Sequence, residues 1–351
     1  MQSPCPPPPL NMNHHGLHPK PRLLTLNCHE AWIYQLGSLG YPLDIVDGLP
    51  NRHVPSWNLG TRPIPGNSRL ITLADTHAPN TKYDCIIAHS MGDLMDIRHL
   101  PGARILVIHN RLESRIQSSP NAPDPHQVKQ TLKRYLSLIG GSVVAVSASK
   151  GESWGFSGGT VVVFGADIQH YPPWHGDTAA GLRIANQITL KKEILHWNFH
   201  QNAFKDIPVT LVGDNPDMPG VHPSKNWEDL KTILSHHRFF IHTAHPQLED
   251  GYNMATIEAM AAGLPILGNV HPTSPVEHGV SGFLSDDPTT LNQYAHMLLN
   301  DRDLAMRMGN NARQYVAAHF SLSQFAAHFQ QAIENAMATS KTARRDKGVS
   351  R

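Results

Sequence analysis

The run Leu248-Glu-Asp-Gly-Tyr-Asn-Met-Ala-Thr-Ile-Glu-Ala-Met-Ala-Ala-Gly-Leu-Pro-Ile-Leu267 leads from a loop through a helix to a strand. Asp250 stands just before Gly251, where a helix is expected to open, and seven residues separate Asp250 from Glu258. The first N–H groups of a helix have no intrahelical partner. Here they belong to Tyr252, Asn253 and Met254. The positive end of the helix dipole attracts an anion, and glycine lets that anion approach the backbone closely. About two turns further along, the Glu258 carboxylate is placed to accept hydrogen bonds from vicinal hydroxyls. One element then offers a partner for a sugar, a cradle for a diphosphate and a clamp for a ribose. The same spacing also fits a capped amphipathic helix whose acidic residues face water.

Outward from this stretch, short β-branched runs alternate with helical ones, the signature of βαβ units and a parallel sheet. Strands are expected over residues 22–27, 43–46, 83–88, 104–109, 142–146 and 160–164, and helices over 29–39 and 127–139. Residues 48–80, with five prolines, read as an extended insertion with little regular structure. Its Arg52, His53, Trp57 and Arg62 either shape an acceptor site or belong to a packed surface loop. Residues 171–181, rich in Pro, Gly and small side chains, read as a linker. The pattern then restarts, with strands over 182–187, 209–212, 239–243 and 265–269 and helices over 191–200, 227–235, 251–262, 289–299, 301–319 and 323–338.

A chain of 351 residues exceeds what one core usually holds, so two domains are expected. The division is 1–21, a disordered Pro/His-rich lead; 22–170, a first Rossmann-like domain; 171–181, the linker; 182–320, a second Rossmann-like domain; 321–338, a last helix; and 339–351, a basic disordered tail. Tandem α/β domains hold ligands in the cleft between the carboxyl ends of their strands. Twenty-nine Lys and Arg against 28 Asp and Glu leave a net charge of +1, which argues against a broad nucleic-acid surface, so an anion needs a local site. Three cysteines without a C-x-x-C pair fit neither a disulfide framework nor a zinc knuckle and point to a reducing, cytoplasmic setting. No apolar run has the length of a membrane span. The 24 histidines are scattered, and no metal site is expected from them.

The quoted run resembles the E-x7-E segment of retaining GT-B glycosyltransferases, above all glycosyltransferase family 4. Asp250 takes the place of the first glutamate, Gly251-Tyr252-Asn253-Met254 that of G-F-G-L, and Glu258 through Pro265 that of E-A-M-A-x-G-x-P. The likeness continues through His278-Gly-Val-Ser-Gly-Phe-Leu284, Leu299 to Arg313 and His319-Phe-Ser321. Upstream, Leu211-Val-Gly213-Asp214 resembles the turn near the nucleobase, Phe164-Gly-Ala-Asp167 the turn before the linker, and Ser147 the start of the preceding helix. Asn186 stands where the family has arginine, while Lys191 keeps its lysine, with Lys192 beside it. His109 stands at the strand end where the family places a histidine near the donor sugar.

The resemblance implies a GT-B fold, two Rossmann-like domains facing each other across a cleft, with the first on the acceptor side, the second holding the nucleotide sugar and the last helix crossing back. It implies retaining transfer of a sugar from a nucleotide-diphosphate-sugar donor to an acceptor hydroxyl, with no metal and no further cofactor. Asp250, Lys191 and His109 become the catalytic candidates. Glu258, Gly251, Tyr252, Asn253, Met254, Asn186, Lys192, Gly213 and Asp214 become the donor-binding ones, and His29, Glu30 and Ser90 lie on the acceptor side. The donor's base and sugar, the acceptor and the oligomeric state stay open. So does a GT-B epimerase or a non-catalytic nucleotide-sugar binder. A more distant alternative comes from Ile86-Ile-Ala-His-Ser-Met-Gly92, which looks like the nucleophile elbow of an α/β serine hydrolase with Ser90 as nucleophile.

Overall fold

A computed structural model describes residues 20–349 except 51, 53, 80 and 118–122. Most of the Pro/His-rich lead, and His53, lie outside the described residues. Two parallel sheets carry the chain. The first comprises β1 (Leu23–Leu26), β2 (Leu43–Val46), β3 (Ser68–Ile71), β4 (Cys85–Ala88), β5 (Ala103–Ile108), β6 (Gly141–Ala145) and β7 (Thr160–Val161), in the order β3-β2-β1-β4-β5-β6-β7. The second comprises β8 (Thr178–Ile184), β9 (Val209–Val212), β10 (His237–Ile241), β11 (Ile266–Gly268) and β12 (Gly282–Leu284), in the order β12-β11-β10-β8-β9. The inner strands β1, β4 and β10 are fully buried and mostly apolar, as strands covered by helices on both faces must be, with Thr25, His237 and Arg238 the buried polar exceptions in them. In each sheet the strand order reverses beside the first strand, between β1 and β4 and between β8 and β10. Those two switch points are where crevices open at the carboxyl ends of the strands.

The crossovers are α1 (Glu30–Gln35), α2 (Met91–Asp96), α3 (Leu112–Gln117), α4 (Pro125–Ile139) and α5 (Ala148–Ser153) in the first domain and α6 (Trp197–Ala203), α7 (Trp227–His236) and α8 (Met254–Ala261) in the second, where α9 (Pro288–Asn300) and α10 (Arg302–His319) follow the last strand. A last helix, α11, runs from Leu322 to Val349. It starts at the second domain and packs on β5 and β6 of the first. The crossing is tied by Ala166 N–H donating to Phe320 O at 2.8 Å and by Gln330 Nε2 donating to Leu39 O at 3.0 Å.

Four expectations are corrected here. The insertion is not without regular structure, because Ser68–Ile71 adds β3 to the sheet edge. The linker is shorter than expected, since β8 begins at Thr178. The helix expected from residue 191 begins only at Trp197, because Gln187 and His196 take positive φ and break the segment between them. The basic end past residue 338 is not a loose tail up to Val349, because α11 continues through it.

Phe325 and Phe329 of α11 are fully buried, and both meet the ring of Trp32 edge-on, at 6.0 and 5.8 Å. Trp32 in turn carries two histidines of the cleft. Replacing Phe329 by Ala removes this prop and leaves a cavity, at a cost of roughly 3–5 kcal/mol. The expected outcome is a clearly lower midpoint for the first transition in thermal unfolding; an unchanged midpoint would contradict this packing role.

Candidate active site

Asp250 is fully buried, with 1% of its surface exposed. Its carboxylate accepts from Ser147 Oγ at 2.6 Å and from Ser149 Oγ, and Lys150 Nζ lies 3.3 Å away. The same ammonium sits 2.8 Å from Glu249. Ser147 caps α5 by accepting from Lys150 N, which places both serines and the lysine at the carboxyl end of β6. Asp250 therefore grips the first domain across the cleft. Burial pushes its carboxyl up, but the Lys150 charge and the serine hydroxyls outweigh that and hold it below its ordinary value. Burial likewise works against the Lys150 charge, and Glu249 and Asp250 together raise it above its ordinary value.

The helix start differs from the expected one. Asn253 is the cap, its side chain accepting from Thr256 N at 2.9 Å while the Thr256 hydroxyl accepts from Asn253 N at 3.3 Å. This capping box starts α8 at Met254 rather than at Gly251, and it occupies the Asn253 N–H. Gly251 N donates to Thr273 Oγ1 at 2.8 Å, and a Cβ on Gly251 would lie 2.8 Å from the His271 side chain. Glycine is required there by His271. Tyr252 is buried and packs its ring against Phe164 and Phe320, at 5.7 and 5.5 Å. Phe164 fills an apolar contact at this position.

Glu258 forms an ion pair with Arg62. Arg62 comes from the 48–80 segment, lies 4.6 Å over the Trp227 ring, and has its carbonyl held by Trp57 Nε1 at 2.9 Å. Glu30 is buried and accepts from Asn58 N at 3.0 Å, so it anchors this segment. The segment thus reaches the second domain at Glu258. Lys191 is half-buried in the turns after β8, its charge disfavoured by burial and favoured in part by Glu249. Lys192 is exposed beside it. Asn186 accepts from Asp214 N at 2.9 Å, joining the carboxyl ends of β8 and β9. Gly213 takes φ +144° there, and a Cβ would fall 2.2 Å from Ala185 O. Asn186 therefore supports the turn at Gly213 and Asp214.

On the first domain, His109 Nε2 and His89 Nδ1 are 2.9 Å apart, and His89 Nε2 reaches Thr25 Oγ1 at 2.8 Å. Trp32, 2% exposed, meets both imidazoles edge-on, at 5.1 and 4.9 Å. Burial drives His109 well below its ordinary value and His89 down to about 4, so both rings are neutral. His29 caps α1 through Nδ1. Ser90 caps α2, accepting from Asp93 N at 3.1 Å, while the neighbouring His89 is bonded to Thr25 and His109 instead. Among the described residues, no histidine is shown hydrogen-bonded to the Ser90 hydroxyl, as a hydrolase nucleophile would need. Cys28 places its sulfur near the two histidines, with one ligand atom of each residue within 4.8 Å of the others.

Lys150, Ser149, His89 and Cys28 are the cleft residues that sequence reasoning missed as site members, while Arg62, read as either an acceptor-site or a surface-loop residue, reaches Glu258. Ser147 alone carried a signal for that turn. Among the predicted residues, Asp250 is joined to the Lys150 group, Lys191 feels the same Glu249, and His109 feels the Lys150 charge. Gly251 and Tyr252 serve packing.

Comparison with known proteins bears on this cleft. Residues 214–315 match the family model for glycosyl transferases group 1. No curated protein matches the chain. Among solved structures, a sucrose-phosphate synthase from Thermosynechococcus elongatus aligns at TM-score 0.63 and 14% identity, over 91% of this chain and 100% of that one. Anabaena HepE in complex with UDP and glucose aligns at TM-score 0.62 and 16% identity, over 90% and 99%. A glycosyltransferase from Rickettsia africae aligns at TM-score 0.62 and 13% identity, over 91% and 99%. The fold is GT-B, two Rossmann-like domains facing each other across a cleft. Fold and matched segment together support a sugar-transferring transferase.

Replacing Lys150 by Met tests the grip across the cleft. In the wild type, the Asp250 contribution is present above the ordinary carboxylate value of about 4 and is lost as pH falls through the depressed folded value. Without Lys150, Asp250 keeps the two serine hydroxyls but loses the neighbouring charge that offsets its burial, so its carboxyl rises relative to the wild type and the stability it contributes at neutral pH shrinks. A loss of roughly 3–5 kcal/mol is expected near neutral pH, read by denaturant unfolding across pH. Equal stability of the two proteins at neutral pH would contradict the grip.

Proposed function

We propose that this protein is a retaining glycosyltransferase of the family 4 type, moving a sugar from a nucleotide-diphosphate sugar to an acceptor hydroxyl. The observation that carries the reading is the contact across the cleft, where Lys150 joins Glu249 and Asp250 just before α8, Glu249 acts on Lys191, and the Lys150 charge reaches His109. In this reading the bond between the anomeric carbon and the diphosphate breaks, and the electron pair leaves with the diphosphate. Lys191 and Lys192 meet the departing charge, and the α8 dipole adds to it, so no metal is needed at the phosphates. A half-buried lysine suits this work, since its field acts in a medium that screens it less than water does. The acceptor hydroxyl enters from the first domain, near His109. HepE is a GT-B structure determined with UDP and glucose, which makes uridine nucleotides the first donors to examine. The absence of any described helix long and apolar enough to cross a membrane, together with unpaired Cys28 and Cys85, supports a reducing, cytoplasmic setting.

In this closed cleft Arg62 occupies the Glu258 carboxylate that the ribose would use. Donor binding then exchanges one partner for the other, and Arg62 must move aside. Asp250 keeps its grip on Lys150 and acts as a positioning residue for the cleft. Its side chain, one methylene shorter than glutamate, is spent on the serines and the lysine.

The experiment is calorimetric titration of nucleotide into two variants. Glu258→Ala should weaken binding at least about tenfold, because a charged acceptor for the ribose hydroxyls is lost. Arg62→Ala should bind as tightly as the wild type or more tightly, because no ion pair has to open first. Equal losses in both variants, or none in Glu258→Ala, would refute the ribose contact.

A further inference from the structure

Three adjacent parallel strands of the first sheet end at one point. Cys28 follows β1 by two residues, His89 follows β4 directly, and His109 follows β5 directly. The sulfur and one nitrogen of each imidazole lie within 4.8 Å of one another. The Thr25 hydroxyl donates to Ile87 O at 3.2 Å, so it accepts from His89 Nε2–H at 2.8 Å. That fixes the tautomer of His89 and turns its bare Nδ1 toward the other two residues. An imidazole whose far N–H is held by an oxygen is the arrangement that orients a metal-bound histidine. Cys28 is a free cysteine, and all three side chains are half-buried on the cleft side of the sheet.

We propose that Cys28, His89 and His109 form a binding site for one zinc-class divalent cation, with the fourth coordination position open toward the cleft. The ligand set, one thiolate and two imidazoles, is the soft, mixed kind that zinc and cobalt take in tetrahedral sites, and three protein ligands leave a position for water or a hydroxyl. Tetrahedral geometry puts neighbouring donor atoms roughly 3.3–3.8 Å apart, from metal–ligand distances of about 2.0–2.3 Å. The two imidazole nitrogens need to separate by a few tenths of an ångström, and the sulfur to approach by about an ångström at most. Both movements are within reach of side-chain rotation. Binding displaces the Cys28 thiol proton to solvent and the His109 proton from Nε2 to Nδ1, so each donor atom offers a lone pair. Asp93, whose carboxylate accepts from His89 N at 2.8 Å, and buried Glu30 supply negative charge behind the site. This site is on the first domain, apart from Lys191 and the start of α8, and metal binding at it does not rest on the transfer reading. Where transfer does occur, a hydroxyl at the open position would become more acidic.

The test is titration of the chelator-treated full-length protein with Co2+. One equivalent should produce a thiolate-to-cobalt charge-transfer band and the visible bands of tetrahedral cobalt, both bleached by one equivalent of Zn2+. Cys28→Ser should abolish the charge-transfer band, and His109→Gln, which removes a direct ligand, should weaken zinc competition by at least the roughly 10- to 100-fold typical of losing an outer-shell partner. Near-ultraviolet circular dichroism checks that each variant is folded. In the wild type, Zn2+ should also protect Cys28 from alkylation, located by peptide mass spectrometry, which gives a readout if a variant fails to fold. No thiolate band at one equivalent, a band that survives in Cys28→Ser, or equal alkylation of Cys28 with and without zinc would each overturn the site.

Discussion

The Lys150 ammonium, held between Glu249 and Asp250, is the contact on which the geometry of the cleft depends. A buried lysine is tolerable only when paired, and here both carboxylates come from the other domain. Ser147 donates to one Asp250 oxygen and Ser149 to the other, so both carboxylate oxygens have a hydrogen-bond partner beside the lysine. The consequence is geometric. The carboxyl end of β6 is thereby fixed against the loop before α8, and the Glu249 charge also acts on Lys191. Asp250 therefore serves in a way that its resemblance to the family's first glutamate did not imply.

A second contact closes the cleft at its other side, where Arg62 meets Glu258. The two differ in kind. Arg62 rides on a segment outside the main helices, stacked over Trp227 and tied through Trp57, whereas Lys150 sits on a helix capped by Ser147. Under the proposed function, a nearly neutral chain would hold a diphosphate through local charge alone, from Lys191, Lys192 and one helix terminus.

Much of this was legible in the sequence. The strand runs, the restart after the linker and the long final helix follow from apolar periodicity, and most strands lie within one or two residues of their expected bounds. The start of α8 was misplaced because Gly251 matched a family pattern, while the stronger local signal was the Asn253 and Thr256 capping pair. The partners of Asp250 were illegible for a different reason: Ser147 is 103 residues away, and nothing local marks Lys150 as buried. The meeting of Cys28, His89 and His109 depends on β1, β4 and β5 being neighbours, which only the strand order supplies. Scattered histidines gave no spacing to read, so the absence of a metal site was the natural expectation.

The central claim is that this cleft binds a nucleotide-diphosphate sugar and transfers its sugar with the anomeric configuration kept. A thermal-shift panel of nucleoside diphosphates and nucleotide sugars on the full-length protein, followed by product analysis of the best donor with candidate acceptors, addresses it most directly. The account predicts that at least one nucleotide sugar raises the unfolding midpoint and yields a glycoside of the donor's own anomeric configuration. A panel in which no nucleotide stabilises the protein, or a product of inverted configuration, would contradict it.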